Sequence, residues 1–321
     1  MPSSKLAALA FVAVVTIAPR AVAQQAEGYL VERFYPSAPG AGWFVMDALD
    51  TRGTFGGAVS LTTGYAYNPL RVGTGASEIR VVSDDAFAGV GMAATYDRFR
   101  FYINIVKPLV IDGQSGTFGG YTYTGPAVDL GTHPDTLSDT GFGFDARIYG
   151  DPRGPLRLGA GAQVFVPNGQ PSDYDTDGRV RGMLRFLVAG DVRWFTYAGH
   201  VGVHIRPRDD SPTPGGVLGS ELLFGAAVGA RIPVGHEPLA VIVGPELWGE
   251  SAFEAFFQSG ATGLEALMTA RLESTRAEGP QFRVKLGMGG GLVPELGTPE
   301  WRMVIGVEMF GSMPKNKPRS P

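Results

Sequence analysis

Three aspartates in one predicted loop have the spacing of the first half of a calcium-binding loop. Asp173, Asp175 and Asp177 precede Gly178, and oxygen ligands at alternate positions before a glycine bend are typical of such loops. The twelfth position is Leu184 instead of the glutamate that supplies two ligand atoms. We therefore keep calcium as a minor alternative, favour a polar external loop with turn-forming aspartates, and predict no other metal site and no cofactor.

The remaining residues that often carry catalysis do not form a recognisable active site. His200 and His204 are four residues apart on a predicted strand, which separates them by about 13 Å along it, too far for one metal ion to bridge directly. The glycine-rich run at 287–292 opens no helix, so it is not a dinucleotide-binding loop. The chain has 0 cysteines, which excludes disulfides and thiolate chemistry. We find no serine-nucleophile elbow, and we predict that the protein is not an enzyme.

Charged and polar side chains instead recur on one face of many predicted strands. In a dry core most of these groups would carry a large cost unless paired, whereas a wet lumen or one crossed by ion pairs removes that cost. Glycines interleaved on the same face leave room for long side chains opposite. The candidate lumen-lining residues are Arg98, Arg100, Asn104, Asp145, Arg147, Arg157, Arg181, Arg185, His200, His204, Glu221, Arg231, Glu246, Glu265, Arg271, Arg283, Lys285, Arg302 and Glu308.

The opposite face of the same strands is almost free of charge. The segment 156–166 presents Leu, Leu, Ala, Ala, Val and Val on this face, and 301–309 presents Trp, Met, Ile, Val and Met. A lipid-facing Arg or Lys near the middle of a bilayer costs about 2–4 kcal/mol. The alternation therefore indicates strands with lipid on one side and polar groups on the other.

Thirteen segments show this alternation, and most have about ten residues or more, the length that a tilted membrane strand needs. The links between them alternate between short and long, as expected for periplasmic turns and external loops. An even number of strands requires one more, at 28–35. The predicted strands are 43–50, 55–67, 79–96, 99–109, 141–149, 156–166, 179–189, 192–206, 219–232, 239–250, 263–273, 281–292 and 301–310.

The sequence therefore predicts an all-β fold, a closed antiparallel transmembrane barrel of about fourteen strands. Twelve strands remain an alternative if the first two segments form a lid or a plug, and the long link at 110–140 has the length to fold inward and close the lumen. The glycine content of 47, the 18% of charged residues and the 11% of aromatic residues fit a membrane barrel. A net charge of −4 implies no nucleic-acid partner.

The first residues have the features of a secretory signal peptide. Lys5 precedes an apolar stretch at 6–17 that is too short to span a bilayer, and Ala21-Val22-Ala23 is a small-x-small cleavage site. We expect a signal peptide at 1–23, a barrel domain at 24–310, and a short disordered tail at 311–321 that contains three basic residues.

Several stretches resemble the N-terminal barrel domain of deltaproteobacterial, especially myxobacterial, OmpA-family outer-membrane proteins. They are Val-Glu-Arg-Phe-Tyr-Pro at 31–36, Trp-Phe-Val-Met-Asp-Ala-Leu-Asp at 43–50, Gly-Tyr-Ala-Tyr-Asn-Pro-Leu at 64–70, Tyr-Asp-Thr-Asp-Gly-Arg-Val at 174–180, and Leu-Gly-Thr-Pro-Glu-Trp-Arg at 296–302. Family members usually continue into a peptidoglycan-binding domain, and no such domain follows in this sequence. The resemblance implies an outer-membrane barrel and brings no catalytic residues.

The combined prediction is an exported barrel in the outer membrane of a Gram-negative bacterium, which meets outer-membrane lipid and the barrel-assembly machinery. Its predicted function is porin-like passive passage of small polar solutes through a charged lumen. The alternatives are a non-conducting structural barrel of the envelope and, less favoured, a soluble secreted β-sandwich that binds a ligand.

Overall fold

The computed structural model describes residues 23–26, 28–73, 75–208, 216–235, 238–275, 279–293 and 297–313. They form sixteen strands and three short 3-10 helices. The strands are β1 (Gln24–Gln25), β2 (Phe55–Val72), β3 (Ile79–Tyr96), β4 (Phe99–Asp112), β5 (Gly116–Phe118), β6 (Tyr121–Tyr123), β7 (Ala127–Asp129), β8 (Thr140–Tyr149), β9 (Arg157–Val166), β10 (Arg181–Val192), β11 (Phe195–Ile205), β12 (Glu221–Pro233), β13 (Leu239–Ala252), β14 (Thr262–Ser274), β15 (Gln281–Val293) and β16 (Trp301–Ser312), and the 3-10 helices are Gly75–Ser77, Pro171–Asp173 and Phe253–Ala255.

Twelve of these strands close into one antiparallel barrel. Each wall strand pairs with its neighbours in the chain, from β2 through β3, β4 and β8–β16, and β16 pairs back onto β2 from Trp301↔Tyr67 to Ser312↔Gly56. The strand β7 pairs only with the end of β4. The closed antiparallel barrel predicted from the sequence is therefore confirmed, with twelve wall strands and one strand outside. No helix in the described part of the chain is long and apolar enough to cross a membrane.

The predicted strands at 28–35 and 43–50 are wrong, and the count of fourteen falls to twelve. Neither segment is paired as a strand, and the second contains only an isolated bridge between Gly42 and Asp47. The other twelve predicted segments all correspond to wall strands, and the bounds of β3 agree at both ends. The sequence alternative of twelve strands with the first two segments forming a plug describes the structure.

The outer face of the wall is apolar. In β16 the exposed residues Trp301, Met303, Ile305, Val307 and Met309 alternate with buried ones, and the same alternation runs along β15. An exposed apolar surface of this extent on every side is stable only when lipid covers it.

The barrel has a turn end and a loop end. The ends of β3, β8, β10, β12 and β14 and the starts of the wall strands that follow them lie at the turn end, whereas the ends of β2, β4, β9, β11, β13 and β15 lie at the loop end. The wall begins and finishes at the turn end, because Phe55 pairs with Tyr96 beside the turn at 97–98.

Residues 28–51, which we call the plug, run through the lumen from the loop end to the turn end. At the loop end β1 pairs in parallel with β6, which belongs to the connection after β4. At the turn end the backbone carbonyl of Thr51 accepts a hydrogen bond of 3.2 Å from Arg147 of β8. All residues from Ala41 to Leu49 are buried, so the N-terminal segment fills the barrel. The long connection at 113–139 does not close the lumen as the sequence allowed: it packs Tyr123 and Val128 against the start of the plug, and only its end, at Asp139, reaches the inward-facing Arg181.

Candidate functional site

The centre of the lumen is a dry apolar core and not an aqueous pore. Plug residues Phe34, Trp43, Phe44, Met46 and Leu49 pack against inward-facing apolar side chains of the wall, and these plug residues are at most 3% exposed. Their wall partners are Phe87, Leu187, Ile242, Trp248, Leu267 and Val304. An empty barrel would expose this surface to water, so the plug and the wall form one hydrophobic core.

Glycines on the inward face make space for the plug. A Cβ added at Gly229 would lie 2.8 Å from Cη2 of Trp43, and one at Gly225 would lie 2.4 Å from Cε of Met46. The inward glycines were expected to make room for arginines, but the plug side chains occupy the space. The wall is therefore shaped to the plug at the level of single side chains.

Charged groups surround this core and join the plug to the wall. The guanidinium of Arg33 in the plug lies 2.7 Å from the carboxylate of Glu221 in β12 and is also paired with Glu250 in β13. His204 lies behind these carboxylates, with Nδ1 3.4 Å from Glu221 and Nε2 3.2 Å from Nη1 of Arg181. All five residues are buried, so the lumen charges predicted from the sequence form a paired network instead of lining open water.

Two further groups of ion pairs join the plug to other wall strands, namely β14 and β16 in the first group and β4 and β8 in the second. Arg302 of β16 donates to both oxygens of Glu32 in the plug at 2.8 Å and to Glu265 of β14 at 2.9 Å. Arg100 of β4 is paired with Asp47 in the plug and with Asp145 of β8.

The plug backbone is also bound by the wall. Glu246 accepts hydrogen bonds of 2.9 Å and 3.0 Å from the backbone N–H groups of Phe44 and Val45, and Lys285 donates one of 3.0 Å to the carbonyl of Trp43. These contacts satisfy backbone groups that have no strand partner.

The other candidate residues, apart from Arg98, lie along the same inner surface. Arg147 and Arg157 donate to the backbone of Thr51 and Ala48, and Asn104 donates to the carbonyl of Pro36. Arg185 pairs with Tyr102, Arg231 with Asp191, and Arg283 with Glu308. Arg271 lies over the Trp43 ring at 4.3 Å. His200 is half-buried on β11. The prediction that Arg98 lines the lumen is wrong: β4 begins only at Phe99, so Arg98 lies in the turn at 97–98 with its side chain 55% exposed.

The aspartates of the loop at 167–180 are not arranged around a single ion. Both oxygens of Asp177 accept hydrogen bonds from Arg206, at 2.7 Å and 2.9 Å, and one also accepts from the backbone of Leu30. Of the described residues, only His204, Glu221 and Glu250 place possible metal ligands within 4.8 Å of one another. The guanidinium of Arg33 is paired with both of these carboxylates, so an arginine occupies the position that a metal ion would take.

We predict that the stability of this loop depends on pH through the carboxyl group of Asp175. Burial raises its pKa to about 7, despite a hydrogen bond from the backbone N–H of Gln170 that lowers it. Because the folded pKa lies above the usual 3.8, the loop has its full stability below about pH 4 and loses stability as the pH rises through 7. We expect amide hydrogen exchange in this loop, corrected for intrinsic rates, to be at least about tenfold faster at pH 8 than at pH 5.

Asp175→Asn tests the assignment, because an amide cannot titrate and its pH dependence should disappear. Asp177 does not interfere in this window: burial raises its pKa, but Arg206 and Arg181 hold that pKa below the usual range, so its contribution is lost only in more acidic solution. An unchanged pH profile in Asp175→Asn would show that another group is responsible.

Several residues of the site were missed by the sequence prediction. Glu32, Arg33 and Asp47 lie in segments that were assigned to wall strands, and their partners were identified only as lumen residues. The sequence contains one signal that could have excluded continuous strands here: Pro36 and Pro39, followed by Gly40 and Gly42.

The comparisons with known proteins concern the barrel architecture. No protein-family model and no curated protein matches the sequence. An outer membrane channel of Pseudomonas putida F1 aligns with a TM-score of 0.46 and 12% identity over 81% of this chain and 95% of that one. The NanC porin aligns with a TM-score of 0.45 and 6% identity over 79% and 100%, and the beta domain of the Bordetella autotransporter BrkA with 0.39 and 12% over 80% and 99%.

Proposed function

We propose that this protein is an outer-membrane barrel that is closed to solutes by its own plug, with a structural role in the envelope. The observation that carries the proposal is the core around Trp43, which is 0% exposed at the centre of the lumen. A porin-like passive channel requires a continuous aqueous path, and the plug occupies the space that such a path would need. The function involves no catalytic step.

The location follows from the surface of the barrel. The apolar exterior fits outer-membrane lipid, and the difference between short and long connections supports a turn end in the periplasm and a loop end outside. Export by the segment at 1–23, which apart from Ala23 lies outside the described residues, and insertion by the barrel-assembly machinery are parts of this proposal. The five stretches that resemble OmpA-family barrels lie in the plug or next to it, since Tyr174 accepts a backbone hydrogen bond from Val31 and Gly297 contacts the same residue.

A gated channel for small polar solutes is a second candidate, which the polar contacts between plug and wall favour. Ion pairs such as Arg33 with Glu221 and Arg302 with Glu32 can be replaced by water when a plug moves, whereas a fully apolar interface cannot. The apolar core around Trp43 opposes this movement, so the closed barrel is the better-supported function.

Single-channel recording in planar lipid bilayers tests the proposal. We expect the complete protein to give no conductance steps, because the plug fills the lumen. A variant lacking residues 28–50 should give ohmic steps if it inserts, and a shift of its band on heating in SDS electrophoresis shows whether it has folded. Steady steps from the complete protein would contradict the closed state. Transient steps that appear only after mild urea treatment, and disappear on its removal, would favour the gated channel.

A further inference from the structure

A cavity remains between the plug and one side of the wall near the loop end. It lies beside plug residues 30–36 and is bounded by β3, β4, β8, β9 and the start of β10, by the end of the connection at 113–139, and by the loop at 167–180. It holds about 60 Å³ of space for the centres of water molecules, and one water needs roughly 10–15 Å³ on this measure. This outer cavity therefore has room for a molecule of about four to six non-hydrogen atoms.

Two of the carboxylates that line the outer cavity form no ion pair with any described residue. Asp85 of β3 is 8% exposed and makes no ion pair or hydrogen bond with any described residue. Asp175 is 3% exposed; its Oδ1 accepts a hydrogen bond of 2.8 Å from Gln170, but its Oδ2 has no partner. Asp85 is within electrostatic range of Glu32 and Asp175, which repel its carboxylate, and of Arg302, which attracts it without forming an ion pair. Since a buried carboxylate without an ion-pair partner is costly, a positive charge bound beside this pair would lower that cost.

Two further buried oxygen acceptors of the lining are unused. Oδ1 of Asp139 and Oε1 of Gln163 have no hydrogen-bond partner, and both residues are at most 7% exposed. The other charges at the cavity are already balanced, because Arg181 pairs with Asp139 and Glu32 pairs with Arg302. The cavity thus presents hydrogen-bond acceptors and an excess of negative charge.

The rest of the lining is apolar. Phe34, Phe87 and Phe165 contribute aromatic rings, and Val106 and Ile111 contribute aliphatic surface. A hydrated inorganic ion gains nothing from such walls, whereas the alkyl part of an organic cation is desolvated on them and its ammonium is attracted to aromatic faces.

We propose that the outer cavity binds a small primary alkylammonium ion of about four to six non-hydrogen atoms. The ammonium group lies between Asp85 and Asp175 and donates hydrogen bonds to the unused oxygens. The alkyl chain lies against the aromatic side of the cavity. This site does not depend on whether the barrel conducts.

Isothermal titration calorimetry of the complete protein in detergent, with n-butylammonium chloride as the probe, tests the site. We expect saturable binding at one site per chain, after subtraction of a titration into detergent alone. Butan-1-ol, sodium butyrate and sodium chloride at equal concentration should give none. Equal binding of butan-1-ol would show that the cavity selects only apolar molecules, and equal binding of sodium would show an inorganic cation site; either result would overturn the proposal.

Two isosteric variants and one matched control locate the binding. Asp85→Asn and Asp175→Asn should each weaken butylammonium binding by about tenfold or more, the usual effect of losing a charge-assisted hydrogen bond. Both should fold, because each replaces a buried carboxyl group by a neutral amide of nearly the same shape. Asp135→Asn removes the same charge from an exposed position at the loop end and should leave the affinity unchanged. An equal loss in all three variants would indicate only long-range attraction and would overturn the proposal.

Discussion

Trp43→Ala is expected to lower the free energy of unfolding by about 3–5 kcal/mol, the range for removing a large buried aromatic side chain. The side chain is 0% exposed and fills the space left by Gly229, and Arg271 lies over its ring at 4.3 Å. Because the wall strands cannot collapse onto the vacated space without breaking their register, we expect little relaxation around the cavity. Urea unfolding of the protein in lipid vesicles, followed by band shift on gels, measures the loss.

Trp194→Ala is the matched control for this variant. Trp194 lies in the turn between β10 and β11 and is 66% exposed, so its truncation should cost about 1 kcal/mol or less. A similar loss in the two variants would mean that the plug contributes no more than a surface tryptophan. In that case the lumen would not be a packed core, and the closed state that we propose would lose its physical basis.

The wall could be predicted from the sequence because the bilayer limits what a wall strand can be. Lipid outside and enclosed groups inside impose strict alternation over ten or more residues, and this alternation located all twelve wall strands. It also placed residues such as Arg100 and Arg302 on the inward face. The bounds shifted by a few residues at strand ends, as at β2, which continues to Val72, because alternation weakens where strands leave the membrane.

The plug could not be predicted in the same way because it has no solvent-facing side. The barrel wall surrounds residues 41–49 on all sides and every one of them is buried, so the order of apolar and polar residues carries no information about a face. Asp47 and Phe44 are both inside, each with its own wall partner. The stretch at 43–50 has the length and composition of a strand, and only the prolines and glycines before it argue otherwise.

The pairing of the lumen charges could not be predicted from the sequence either. Parity shows that Glu221 and Glu250 point inward, but their shared partner Arg33 is 188 and 217 residues away in the chain. Such contacts depend on the register of the plug inside a finished barrel. The fit of the plug in the barrel also explains why inward arginines and glutamates can occur next to an apolar core, because most of them form an ion pair or a hydrogen bond with the backbone.

Arg302→Met should destabilise the protein by about 3–5 kcal/mol, the usual cost of removing one partner of a buried ion pair. Arg302 is 0% exposed and is the cation shared by Glu32 of the plug and Glu265 of the wall. Its loss leaves two carboxylates facing each other in the lumen, and their repulsion acts directly on the position of the plug. We expect faster hydrogen exchange at Glu32 and its neighbours, measured by mass spectrometry, together with a lower urea midpoint.

Two further sets of variants distinguish the loss of the buried Arg302 ion pairs from a general loss of charge. Arg71→Met breaks the exposed pair with Glu300, whose side chains are 26% and 39% exposed, and should cost about 1 kcal/mol or less. Adding Glu32→Gln and Glu265→Gln to Arg302→Met removes the stranded charges, so most of the lost stability should return. If the triple variant is less stable than Arg302→Met alone, Arg302 stabilises the plug through its packing in the lumen and not through its charge.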